Sequence, residues 1–69
     1  MLFEEDGATF TDYALEQRLI AAHRMLSDAR LRHLTIGAIA YQAGFGDLSH
    51  FNRSFRRRFG ATPSEIRHA

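Results

Sequence analysis

The chain has no cysteine, no lysine and a single proline in 69 residues. Without cysteine there are neither disulfides nor thiolate metal sites, the devices that usually reinforce a fold this small. The four histidines, His23, His33, His50 and His68, are not spaced as zinc ligands with an acidic partner set, so no metal and no cofactor is expected. No apolar run approaches the roughly 20 residues of a membrane span. The first six residues carry Glu4, Glu5 and Asp6 where a secretory leader would be basic. A soluble, cytoplasmic protein is therefore the expectation. Its length allows one domain, and a chain this short buries only roughly 60% of the surface exposed when unfolded.

The absence of lysine makes all nine basic residues arginine, and they are unevenly placed. Residues 1–34 hold four arginines against six acids, and residues 35–69 hold five against Asp47 and Glu65 alone, −2 against +3. Arg53, Arg56, Arg57 and Arg58 fall within six residues. The planar guanidinium fork matches phosphate and guanine edges, so the pattern suits nucleic acid, although base composition of a genome also produces arginine-rich chains.

Helical punctuation divides the chain. Thr9 to Asp12 reads as a capping box with Asp in place of Glu or Gln, opening a helix to about Ser27. Thr35 can cap a short helix over Ile36 to Ala43, which Gly44, Phe45 and Gly46 would stop. Asp47 can cap a third helix over Leu48 to Phe59, with Gly60 in the left-handed position beyond it. Thr62, Pro63, Ser64 and Glu65 then open a final turn or two. No segment alternates with period two, so the fold class is all-α.

At 100° per residue, Ile36, Ile39, Ala40 and Ala43 share one stripe and Phe51, Phe55 and Phe59 another. The two short helices can close on each other around Phe45, as in a DNA-binding helix-turn-helix. On spacing alone a generic helical hairpin fits equally well. Asp47, Ser49 and His50 do not make a nucleophile site, because adjacent helical residues point about 100° apart and the Asp is suited to capping. No catalytic residue, and so no enzyme, is expected.

The run Ile36-x-x-Ile39-Ala40, then Gly44-Phe45-x-Asp47-x-Ser49-His50-Phe51-x-Arg53-x-Phe55-Arg56-Arg57-Arg58-Phe59-Gly60-x-Thr62-Pro63-Ser64-x-x-Arg67, resembles the C-terminal signature of AraC-family transcription regulators. Tyr13, Arg18, Ala22, Met25 and Leu26 resemble that family's long linker helix. The resemblance implies a partial AraC-type domain: residues 1–8 as a remnant of a first helix-turn-helix unit, 9–34 as linker helix and loop, and 35–69 as the second unit with a C-terminal helix. The rest of the first unit and any effector-binding domain would lie outside this chain. It also implies sequence-specific binding of double-stranded DNA, with residues 48–59 in the major groove and contacts at the helix's first turn and at Asn52 and Arg53.

Read with the wheel, the DNA-contacting set is Thr35, Leu48, Ser49, Asn52, Arg53, Arg56 and Arg57. Leu48 is apolar where such proteins often carry a polar reader, and it fits a thymine methyl or the core equally. Arg58 is expected to lay its stem over the Phe stripe, and Ile66 to plug the core. His23 and His33 read as surface residues. The first helix carries two apolar stripes: Leu15, Leu19, Ala22 and Leu26, then Phe10, Ala14, Ala21 and Met25. The second lacks a partner within the chain, so a homodimer through this helix is expected. The competing function is a truncated helical interaction or dimerisation module with vestigial DNA affinity.

Overall fold

A computed structural model describes residues 2–69, with side chains from Asp12 onward. The chain forms helix α1 (Leu2–Leu26), a 3-10 turn (Ala29–Leu31), and helices α2 (Ile36–Gln42), α3 (Leu48–Phe59) and α4 (Pro63–Arg67). There is no strand among the described residues. The all-α architecture of a long helix followed by a helix-turn-helix and a short last helix is as expected.

Helix α1 begins earlier than its capping signal. The backbone is already helical at Leu2 and passes through Thr9 without interruption, whereas the sequence pointed to a start there. Gly7, which costs a helix interior only about 1 kcal/mol, does not break it. The side chains of Thr9 and Phe10 lie outside the described set. The helix ends at Leu26, and Asp28 then caps the 3-10 turn through its own carboxylate, which accepts from the Arg30 backbone N–H at 2.9 Å.

The other three helices start where the sequence places their caps. Thr35 Oγ1 accepts from Ala38 N–H at 3.0 Å, and Asp47 Oδ1 accepts from Ser49 N–H at 2.9 Å. At α4 the capping box is reciprocal: Glu65 N–H donates to Thr62 Oγ1 at 3.1 Å and Thr62 N–H to Glu65 Oε1 at 2.8 Å. Each cap satisfies backbone donors that a helix's first turn leaves unpaired.

One core holds the four helices together. Leu19, Ala22 and Leu26 of α1 meet Ile39 and Ala40 of α2, Phe45 of the turn, and Phe51 and Phe55 of α3, all buried. Phe51, Phe55 and Ile39 are the largest side chains sealed from water. Burying each stabilises the fold by roughly 1.5–3 kcal/mol. Leu15, Leu34, Ala43, Phe59 and the expected plug Ile66 pack against this core. An α4 of five residues has no stability of its own; Ile66 anchors it, and Arg67 NH2 donates to the Leu31 carbonyl of the 3-10 turn at 3.2 Å.

Two sequence readings of α1 are corrected. His23 is half-buried, its ring 4.7 Å from that of Phe59 and 6.0 Å from that of Phe55, nearly parallel to the latter at 15°. The polar type of the residue suggested surface, but the Phe stripe of α3 crosses α1 at this point. Met25, assigned to the unpartnered stripe, packs against the core. That stripe is therefore shorter than expected, with Ala14 and Ala21 half-buried beside it.

Candidate nucleic-acid interface

Helix α3 is held from both ends and from one side. Asp47 fixes its start; Gly60, at φ 74°, fixes its end and donates its N–H to the Arg56 carbonyl at 2.8 Å. Phe51 and Phe55 pin one face to the core. What remains faces water: Leu48, Ser49, Asn52, Arg53, Arg56 and Arg57 are all exposed. Arg56, Arg57 and Arg58 lie in the last turn, where positive charge complements the helix dipole.

The exposed residues divide between two sides. Leu48, Asn52, Arg53 and Arg56 border an open groove of about 520 Å³ whose other wall is Ile36, Thr62, Pro63 and Ser64. Arg57 instead lines a cleft between α3 and α1, with Asp12, Leu15, Glu16, Leu19, Ser54 and Arg58. Arg57, one helical turn beyond Arg53, thus lies at the α1 edge of the exposed face. Thr35 is exposed at the start of α2, its hydroxyl engaged in the cap. The beginnings of α2 and α3 converge: a Cβ placed on Gly37 would stand 4.0 Å from Leu48 Cδ2.

Arg58 belongs to neither group of free cations. Its Nε donates to Glu16 Oε1 at 2.7 Å and to Oε2 at 2.9 Å, its NH2 lies 2.7 Å from Oε2, and its guanidinium carbon sits 4.9 Å from the Phe59 ring centroid. Arg58 thus lies against the Phe stripe at Phe59, but with its guanidinium rather than its stem over the ring, and the Glu16 partner, 42 residues away, was invisible in the sequence. The hydrogen bond from Arg58 is the main cause that holds the Glu16 carboxyl below its ordinary range, with the charge of Arg58 adding to it. Glu65 is lowered chiefly by the Thr62 backbone N–H, and Asp28 by its hydrogen bonds from Arg30. These three acids are thus occupied at caps and a pair, leaving the groove side of α3 with Arg53 and Arg56 and no acid among its lining residues.

Sequence reasoning gave Ile36, Thr62, Pro63 and Ser64 structural roles only. Their place on the groove wall follows from the Gly60 turn, which folds α4 back alongside α3. The signal was present in Gly60 followed by the Thr62 and Pro63 cap, but the direction of the return depends on α4 docking onto the core.

A chain with these elements is comparable with known proteins. A family model described as "Helix-turn-helix domain" matches residues 1–69. The chain is 45% identical over 65 residues to the transcriptional activator RhrA of Rhizobium meliloti (strain 1021), covering 94% of this chain and 20% of that protein. It is 41% identical over 68 residues to the HTH-type transcriptional activator RhaS of Enterobacter sp. (strain 638), covering 96% and 23%. With the virulence regulon transcriptional activator VirF of Yersinia enterocolitica it shares 44% over 52 residues, covering 75% and 18%. The chain thus spans about a fifth of the length of these relatives. No solved structure matches it significantly. No described helix is long and apolar enough to cross a membrane. Together the capped α2–turn–α3 unit, the match along the whole chain and the identities to these activators mean that the chain belongs to the AraC-type helix-turn-helix family.

Proposed function

We propose that this chain binds double-stranded DNA sequence-specifically as part of a bacterial transcription regulator, laying α3 in the major groove. The observation that carries the reading is the two-sidedness of α3: Phe51 and Phe55 sealed in the core, and Ser49, Asn52, Arg53 and Arg56 free on the outside. A helix about 10–12 Å across matches a groove about 12 Å wide. The printed descriptions of the relatives as transcriptional activators support the same function.

In this reading Arg53 forks onto guanine O6 and N7, Asn52 pairs with adenine N6 and N7, and Ser49 serves as an adaptable donor and acceptor. Arg56 reaches phosphate on the groove side, Arg57 reaches it from the α1 side, and the start of α2 at Thr35 approaches the backbone. From residue 9 onward helix α1 acts as the linker to a preceding unit of a longer regulator working in the cytoplasm, with residues 1–8 belonging to that unit. Fluorescence-anisotropy titration with mixed double-stranded DNA at several salt concentrations tests the proposal. Binding that weakens steeply with salt, at about 0.9 in log–log slope per neutralised phosphate, is expected. Binding absent at low salt would leave only a helical interaction module, pairing copies through the Ala14 and Ala21 face of α1.

A further inference from the structure

Leu48 is 48% exposed, one of only three large hydrophobic residues in that state among the described ones. It is the first residue of α3, and it is absent from both the buried core and the apolar side chains packed against that core. It is therefore no part of the cluster that Phe51 and Phe55 build. It borders the groove with Ile36 and Pro63, whose side chains make that wall largely hydrocarbon, while Asn52, Arg53 and Arg56 form the polar, cationic rim. An apolar strip edged by two arginines with no acid among the lining residues suits a ligand that is anionic at its periphery and carries a small hydrocarbon group between its charges.

We infer that Leu48 is a specificity-determining residue that reads the C5-methyl group of a thymine in the major groove. The inference rests on the DNA-binding reading above and adds to it a base and an atom. Thymine is the one base whose major-groove edge presents a methyl. Leu48 and Asn52 are four residues apart, one helical turn, so they share a face of α3 and meet neighbouring base pairs. Asn52 takes the amide-matching edge of an adenine while Leu48 covers the methyl beside it. The preferred site is then rich in A·T where the start of α3 enters, and turns to G·C where Arg53 follows.

Uracil substitution isolates the methyl, since it removes that group and leaves every hydrogen-bonding atom of the base in place. Sites are first selected from random duplex DNA with the intact chain, and each thymine of the consensus is then replaced by uracil. At one position the wild-type chain is expected to lose about fourfold in affinity, the transfer value of a single buried hydrocarbon group. Leu48→Ala should bind thymine and uracil equally at that position, and Leu48→Met should keep most of the difference. Circular dichroism checks that both variants fold.

A scan in which no uracil weakens the wild-type chain overturns the inference. So does a sensitive position at which Leu48→Ala loses as much as the wild type, because another group then covers the methyl. Failure of the selection to return any consensus strikes instead at sequence-specific binding itself, and the inference falls with it. A Leu48→Ala chain that keeps its uracil profile unchanged but no longer associates with a protein partner would reassign the groove to that partner.

Discussion

Arg58 and Glu16 join the third helix to the first by a forked contact, with the arginine Nε donating to both carboxylate oxygens at 2.7 and 2.9 Å. The pair engages one member of the four-arginine cluster in a contact that ties α3 to α1. Arg58→Ala is accordingly expected to leave the salt slope of DNA binding unchanged, whereas Arg56→Ala should reduce it by about 0.9. Anisotropy titrations across a salt series compare the two. A fall in slope with Arg58→Ala would place that side chain on phosphate.

The same pair sets an acid-side pH dependence. The Glu16 pKa is lowered in the folded chain, so its contribution is present above the unfolded carboxyl value and is lost as pH falls through the folded value. The pair is solvent-exposed and its effect is small. Thermal melts from neutral pH down to below the ordinary carboxylate range should show a shallower acid loss for Glu16→Gln than for the wild type. Identical profiles would mean that the contact contributes nothing in solution.

Phe55→Ala removes a side chain with no exposed surface from the centre of the aromatic stripe. The expected cost is about 3–5 kcal/mol, comparable to the whole stability of a small domain. Helical circular dichroism and DNA binding should disappear together. Arg53→Ala, by contrast, should keep the melting temperature and lose about 1–3 kcal/mol of binding, at one base position only if the side chain reads a base.

Two glycines hold positive φ for different surroundings. Gly44, at φ 110°, has Arg18 over it, so that a Cβ would stand 3.1 Å from Arg18 Nε; Gly60, at φ 74°, has open space around it. Gly60→Ala should cost about 1–2 kcal/mol, the conformational strain alone. Gly44→Ala should cost more, and adding Arg18→Ala should recover the crowding part and leave the strain. Urea unfolding of the parent chain and these three variants measures this, and equal costs at the two glycines would refute the crowding argument.

What the sequence revealed about this fold was local. Asp47, Gly60 and the Thr62–Glu65 capping box are legible because a cap and the backbone it satisfies lie within three or four residues. The Phe stripe was legible for the same reason, since helical periodicity records which residues share a face. The Glu16–Arg58 pair, the packing of His23 on Phe55 and Phe59, and the cleft between α1 and α3 that Arg57 borders all depend on where α1 crosses α3. A helical wheel carries angle about one axis and nothing about the position of a neighbour along it. The α1 start was misread because the signal at Thr9 is also compatible with a helix already under way. Leu48 was ambiguous on the wheel because its angle lies near the Phe stripe; in the fold it is 48% exposed and takes no part in the core.

The aromatic rings run as a continuous ladder: Phe45 to Phe51 at 4.9 Å, Phe51 to Phe55 at 5.5 Å, Phe55 to Phe59 at 4.7 Å, with His23 at 4.7 Å from the last. The chain has no tryptophan, and its two tyrosines, Tyr13 and Tyr41, are 64% and 77% exposed. Fluorescence therefore reports little of the interior. The imidazole of His23 lies within the ring currents of two phenylalanines, and its carbon-bound protons should resonate away from those of exposed His33 and His68. That displacement, followed by nuclear magnetic resonance, registers the seating of α1 on α3 and gives this optically quiet molecule an internal gauge of its tertiary structure.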